Sequence, residues 1–216
     1  MKRLVTALGV MALSLAGVAR AQDENAVDGL YWRVAAGATF VSNLEQSFAP
    51  AAPGFGQTLS VGESFTAAAA LGFDYADGIR TELEYRYEFA DIDSITIHPP
   101  LGPDLFLQPN ENLRAHLVMA NFYFDFNNNS DWTPFIGGGV GGAFVTNENG
   151  DSDAALAYQG RAGLSYDFGG DVEVSAEYIY LRSRDLVFAV SPTTGLAPGG
   201  DNYISSSAML SFRKLF

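Results

Sequence analysis

From Ile79 to Phe89 the chain alternates without a break. Ile79, Thr81, Leu83, Tyr85, Tyr87 and Phe89 fall on one side of an extended backbone, and Arg80, Glu82, Glu84, Arg86 and Glu88 fall on the other. Successive side chains of a β-strand point to opposite faces, so this segment predicts a strand with one largely apolar and one fully charged face. The split recurs. Ser64–Tyr75 sets Phe65, Ala67, Ala69, Leu71, Phe73 and Tyr75 against Ser64, Thr66, Gly72 and Asp74. Leu156–Phe168 sets Leu156, Tyr158, Ala162, Leu164, Tyr166 and Phe168 against Gln159, Arg161, Ser165 and Asp167. Val172–Leu181 sets Val172, Val174, Ala176, Tyr178 and Tyr180 against Glu173, Ser175 and Glu177. Near the C-terminus, Ile204, Ala208, Leu210, Phe212 and Phe216 oppose Ser205, Ser207, Ser211 and Arg213.

Three further segments alternate less cleanly. Tyr31–Val41 places Trp32, Val34, Ala36, Ala38 and Phe40 opposite Arg33, Gly37 and Thr39. Leu113–Phe126 places Val118, Ala120, Phe122, Phe124 and Phe126 opposite Asn121, Tyr123 and Asp125, with Arg114 and His116 on the apolar side at its start. Phe135–Val145 is glycine-rich, with Ile136 and Val140 against Gly137, Gly139 and Gly141. Eight strands result, each long enough to cross a bilayer at a tilt, which takes about 9–11 residues.

The connections give the topology. Ala76-Asp77-Gly78, Asn127–Asp131 and Gly169-Gly170-Asp171 are short and rich in turn formers. Ser42–Glu63, Ala90–Asn112, Thr146–Ala155 and Ser183–Asp201 are longer, and polar or proline-bearing. Short and long connections alternate strictly. Membrane barrels show this asymmetry, with short periplasmic turns and longer extracellular loops.

Polarity decides between a membrane barrel and a water-soluble one. The charged face carries Arg33, Arg80, Glu82, Glu84, Arg86, Glu88, Asp125, Arg161, Glu173, Glu177 and Arg213. Inside a narrow lumen these groups can pair, with Arg161, Glu173 and Glu177 as partners for the cluster on Ile79–Phe89. The opposite face is too bulky to fill the interior of an eight-stranded barrel. Aromatic residues collect toward strand ends. Trp32, Phe73, Tyr75, Phe126, Trp132, Phe168, Phe212 and Phe216 are expected near the short turns, and Phe40, Phe65, Phe89, Phe144 and Tyr180 near the long loops. The expected fold class is all-β: an eight-stranded antiparallel up-and-down transmembrane β-barrel.

The N-terminus agrees with export. Lys2 and Arg3 precede an apolar run from Leu4 to Val18, and Ala19-Arg20-Ala21 forms an A-x-A site for cleavage before Gln22. Residues 1–21 are therefore expected to be a signal peptide, and residues 22–216 the barrel domain. Cleavage removes Lys2, Arg3 and Arg20, leaving nine basic against 25 acidic residues, a formal charge of −16. That balance argues against nucleic acid as a partner. The chain has no cysteine, so its stability must come from something other than disulfides, and a closed strand ladder in lipid supplies it.

The chemistry-bearing residues point to structure rather than catalysis. The carboxylates and arginines of the charged face read as a salt-bridge network. His98 lies beside Pro99-Pro100, and His116 lies on the apolar side of its strand with no matching serine pattern beside it, whereas hydrolysis needs nucleophile, base and acid together. Asn147–Asp153 is rich in oxygen donors but lacks the twelve-residue calcium-loop spacing, and reads as a hairpin tip. Gly137–Gly142 lacks the Gly-Lys-Ser of a phosphate loop; its inward glycines leave room for long arginine and tyrosine side chains. No catalytic residue, cofactor or metal is expected.

Several segments resemble the outer-membrane β-barrel family that includes OmpA-like transmembrane domains and opacity-type proteins. They are Arg80–Tyr87, Asn121–Phe126, Thr133–Gly141 and Tyr158–Phe168, and with the last strand the resemblance covers essentially the mature chain. It implies a C-terminal signal for the barrel-assembly machinery at Ala208, Leu210, Phe212 and Phe216. It also implies a barrel-only member exported through the periplasm to the outer membrane, with lipids as its surroundings. The expected role is structural support of the envelope. Alternatives are a narrow porin-like pore for ions or small solutes, and adhesion to an extracellular ligand through loops 42–63, 90–112 and 183–201.

Overall fold

The computed structural model describes residues 29–216 except 43, 48–53, 55, 76–77, 108–110, 148–151 and 187–200. The expected signal peptide, with Ala19, Ala21 and Gln22, lies outside the described residues, as do the tips of the 42–63, 146–155 and 183–201 loops.

In lipid every backbone N–H and C=O must find a partner within the protein, because no water is present to provide one. Ten strands meet that demand by forming one sheet. They are β1 (Gly29–Val41), β2 (Leu44–Ser47), β3 (Gly56–Tyr75), β4 (Ile79–His98), β5 (Leu105–Leu107), β6 (Glu111–Asp125), β7 (Trp132–Asn147), β8 (Ser152–Gly169), β9 (Val172–Leu186) and β10 (Asp201–Leu215). The order is β2-β3-β1-β10-β9-β8-β7-β6-β4-β5, and a β3–β4 pairing closes the ring. Eight long strands make the barrel, each antiparallel to both neighbours.

The register fixes the tilt. From Tyr31, successive partners are Gly72, Glu82, Asn121, Gly139, Gln159, Leu181 and Ser205, and Ser205 pairs back onto β1 at Val41. The circuit returns ten residues further along β1 than it began, which is the stagger that closing a tilted sheet requires. At one short turn, Gly169, Gly170 and Asp171 all adopt positive φ (77°, 67° and 65°). Glycine reaches that region without steric cost, and aspartate tolerates it better than most residues.

All four expected long loops are shorter than read: 146–147, 152–155, 183–186 and 201 belong to β7, β8, β9 and β10, and the other two change more. Residues 56–63 and 90–98, read as parts of the loops 42–63 and 90–112, continue β3 and β4 and stay paired up to Gly56 and His98. β2 and β5 flank this extension, pairing with β3 and β4 respectively. A four-stranded sheet thus rises above one side of the rim. Its phase differs from the strand below, because register shifts at Ser60, Val61 and Ser64 break the alternation.

The lumen is filled in two zones. Toward the short turns, every arginine and most carboxylates of the charged face are buried. Toward the long loops, Leu113, Ala115, Leu117, Met119, Ala143, Val145, Ala157 and Leu181 pack into an apolar stopper, each at most 4% exposed. The lumen is therefore not ionic along its whole length: on β6, β7 and β9 the upper part of the inner face is aliphatic. Glycines admit the bulk at close approaches. A Cβ on Gly163 would strike the Phe135 ring, and one on Gly72 the Tyr31 ring. The inner glycines of β7 make room for Tyr123, Asn121 and Met119, and Arg161 stands directly across the ladder from Gly137. Outward, Leu71, Leu83, Phe122, Ile136, Tyr178 and Leu210 are 51–66% exposed. A water-soluble barrel would have this polarity reversed.

Candidate functional site

The charged residues of the lower lumen meet because antiparallel partners share a face. At the mouth nearest the short turns, Arg213 Nη1 lies 2.5 Å from Asp74 and Nη2 lies 2.6 Å from Glu173. Arg80 grips Asp125 with two hydrogen bonds of 2.5 and 2.7 Å. Its guanidinium also stacks 4.8 Å from the centre of the Tyr123 ring. Planar guanidinium matches both carboxylate and aromatic faces, which lysine cannot do.

Above these, Arg33 and Arg161 share three carboxylates. Arg33 donates to Glu82 at 2.8 and 2.9 Å, to Glu84 at 2.5 Å and to Glu177 at 2.6 Å. Arg161 Nη1 donates to Glu84 at 2.7 Å, and its Nη2 lies 3.1 Å from Glu177. Tyr123 donates to Glu82 at 2.9 Å and accepts from Arg161 at 2.5 Å. The chain of contacts continues upward. Gln159 donates to Asn121, and Arg86 donates to Gln159 and lies 3.2 Å from Glu88, which accepts from Tyr203 at 2.6 Å.

The eleven residues anticipated for the lumen all lie in this network, but the pairing differs from the expected one. Arg161 does reach β4, at Glu84. Glu177 instead serves Arg33 and Arg161, and Glu173 serves Arg213. The neutral members Tyr31, Asn121, Tyr123, Gln159 and Tyr203 were not anticipated as a group. Their in-phase spacing with the charges on their own strands was the available signal.

Each carboxylate of the network lies within ion-pair distance of an arginine or accepts from a tyrosine, while Oε1 of Glu84 and Oε1 of Glu88 have no hydrogen-bond partner among the described residues. The space between Arg33, Arg80, Tyr123, Phe135, Glu173, Ser175 and Glu177 is a cavity of about 10 Å³, at the lower limit for a single water.

A second cluster lies on the raised sheet. Thr58 Oγ1 is 3.0 Å from His98 Nε2, and His98 Nδ1 is 3.1 Å from Asp104. The order hydroxyl, imidazole, carboxylate is that of a hydrolytic triad. Thr58, however, is paired in register with both Glu45 and Thr96, so its amide belongs to the ladder and is not free to hold an oxyanion. The trio ties the β4–β5 loop to β3. His116 occupies the outer face, its Nδ1 2.7 Å from the Tyr85 hydroxyl. The residues expected to carry the assembly signal, Ala208, Leu210, Phe212 and Phe216, lie along the outer face and end of β10, with Leu210 and Phe216 66% and 83% exposed.

A closed ring of eight strands, apolar outside and ionic within, defines the class: an integral β-barrel of the bacterial outer membrane. The chain belongs to the surface antigen family, whose profile matches residues 41–203. In fold it is similar to the crystal structure of Neisserial surface protein A, with a TM-score of 0.61 and 16% identity over 89% of this chain and all of that one. It is also similar to outer membrane protein OprG of Pseudomonas aeruginosa, with a TM-score of 0.58 and 12% identity over 90% of this chain and all of that one. Among curated proteins, an uncharacterised protein of Brucella suis biovar 1 is 25% identical over 139 aligned residues, covering 52% of this chain and 49% of the relative. A protein of Brucella melitensis biotype 1 matches to the same extent. The chain spans about half the length of the curated relatives it matches.

Proposed function

We propose that this protein is a plugged barrel that supports the outer membrane and holds a β-sheet above its surface, rather than a conduit through it. The carrying observation is the double seal. A paired ionic network occupies the lower lumen and a packed aliphatic stopper the upper. Opening a path would expose buried charges without partners, at several kcal/mol each. In this reading residues 1–21 direct export, and the outward residues of β10 present the strand to the assembly machinery. The experiment is planar-bilayer recording on the refolded mature chain. Silence at all voltages is expected, and reproducible unitary openings would overturn the proposal in favour of a narrow pore.

One observation supports a second role, contact with an extracellular partner. Leu101, Leu105, Phe106 and Leu107 at the β4–β5 end of the raised sheet are 90%, 55%, 74% and 50% exposed. Exposed apolar groups gathered in one place mark contact surfaces. Replacing Leu105 and Phe106 by serine is expected to lower adhesion of cells displaying the protein to host-cell monolayers. Unchanged adhesion would remove this role.

A further inference from the structure

Few basic side chains point out of the barrel, and their placement is uneven. Arg114 and His116 stand on the outer face of β6, and Arg182 and Arg184 on that of β9, all toward the long loops. Lys214 stands toward the other end. Partners across the ladder share a face, so Phe65, Phe89, Arg114 and Thr146 form one outward row. Ala67, Tyr87, His116 and Phe144 form the next row down. Arg114 and His116 therefore lie within the aromatic belt on the long-loop side. With a stagger of about 1.25 residues per strand, Arg184, three strands further round, comes to nearly the same depth as Arg114.

The two groups on β6 are presented differently from the lumen cations. Arg33, Arg80, Arg86, Arg161 and Arg213 each form an ion pair inside the barrel. Arg114 is exposed and forms none among the described residues. Asp91 stands diagonally across from it on β4, also exposed, and is not paired with it. His116 is held between two tyrosines. The Tyr85 hydroxyl lies 2.7 Å from its Nδ1 and the Tyr87 ring 5.1 Å from its own. Nε2, the ring nitrogen that Tyr85 does not engage, is left as the polar atom His116 can offer beside the guanidinium.

We propose that Arg114 and His116, framed by Tyr85, Tyr87 and Phe89, hold the phosphate of a phosphorylated lipid in the leaflet facing the long loops. A planar guanidinium meets phosphate through two parallel hydrogen bonds. The belt depth puts it where headgroups begin, and the flanking rings are the amphipathic surfaces that such an interface favours.

The test uses the refolded mature protein in micelles with three probes: diphosphoryl lipid A, its dephosphorylated counterpart, and inorganic phosphate. Native mass spectrometry is expected to show the diphosphoryl lipid retained over the dephosphorylated one. Arg114→Gln should weaken retention at least tenfold and His116→Gln severalfold, while Asp91→Asn strengthens it and Lys214→Gln leaves it unchanged. Equal retention of both lipids by wild type, or unchanged retention in Arg114→Gln, would overturn the proposal. If that variant fails to fold, wild type decides alone through the ring resonance of His116, distinguished from His98 by His98→Gln. Movement with the diphosphoryl lipid supports the site. No movement, or equal movement with inorganic phosphate, refutes a lipid-borne ligand.

Discussion

Replacing Arg161 by methionine probes the ionic network at its most connected cation. The substitution keeps most of the side-chain bulk but removes the contacts to Glu84 (2.7 Å) and Glu177 (3.1 Å) and the hydrogen bond to Tyr123. Arg33 must then compensate Glu82, Glu84 and Glu177 almost unaided, since Arg86 reaches Glu84 only at 4.0 Å. Removing one partner of a buried pair costs about 3–5 kcal/mol, because the other is left charged in a poor solvent. With an urea dependence of about 2 kcal/mol per molar, the unfolding midpoint in lipid vesicles should fall by about 2 M. The companion Glu84→Leu/Arg161→Met variant removes the stranded carboxylate as well, so the two changes should be coupled by about 2 kcal/mol in a double-mutant cycle. A single-variant loss under about 1 kcal/mol, or strict additivity in the double, would refute the idea that these charges hold one another in place.

Two other substitutions test the barrel's exterior and its packing. Leu83→Arg, on the outer face between Leu71 and Ala120 and 59% exposed, should destabilise the membrane-embedded barrel by about 2–4 kcal/mol, with Leu83→Ala costing far less; equal costs in vesicle-folding titrations would contradict a lipid-facing position. Gly163→Ala should lower the heat-modifiability transition, because the new methyl meets the Phe135 ring and lies 2.6 Å from the Ala176 carbonyl, an overpacking cost of about 1–3 kcal/mol. Gly160→Ala, with open space around its Cβ position, should leave that transition unmoved.

The barrel was legible in the sequence wherever one face of a strand was charged. On β4 the alternation of Arg80–Glu88 against Ile79–Phe89 gives both the strand and its orientation. It fades where both faces are apolar. Leu117, Met119, Ile179 and Leu181 point inward, as Asn121, Tyr123 and Glu177 do on the same strands, yet nothing in their own chemistry separates them from the lipid-facing Val118 or Tyr180. Only the phase carried over from the charged half of the strand assigns them. The raised sheet was illegible for another reason. The register shifts between Ser60 and Ser64 reverse the alternation, so Leu59 and Val61 turn inward out of step with Thr66 and Ala68. The pairing partners in the network could not be read at all, because they depend on how strands far apart in the chain face each other across the lumen.

The circuit from Tyr31 to Val41 has a consequence for how the molecule tolerates change. All eight seams contribute to a single whole number, and that number must be even if inward residues are to meet inward residues around the ring. No seam can therefore drift by one position by itself: Trp32 would come level with a neighbour of the opposite face, and the mismatch would run the length of the ladder. The smallest permitted slip is two positions, which alters the girth of the tube. Tyr31 against Gly72 and Phe135 against Gly163 are fitted to the present girth, so interior volume and strand alignment can be altered only together.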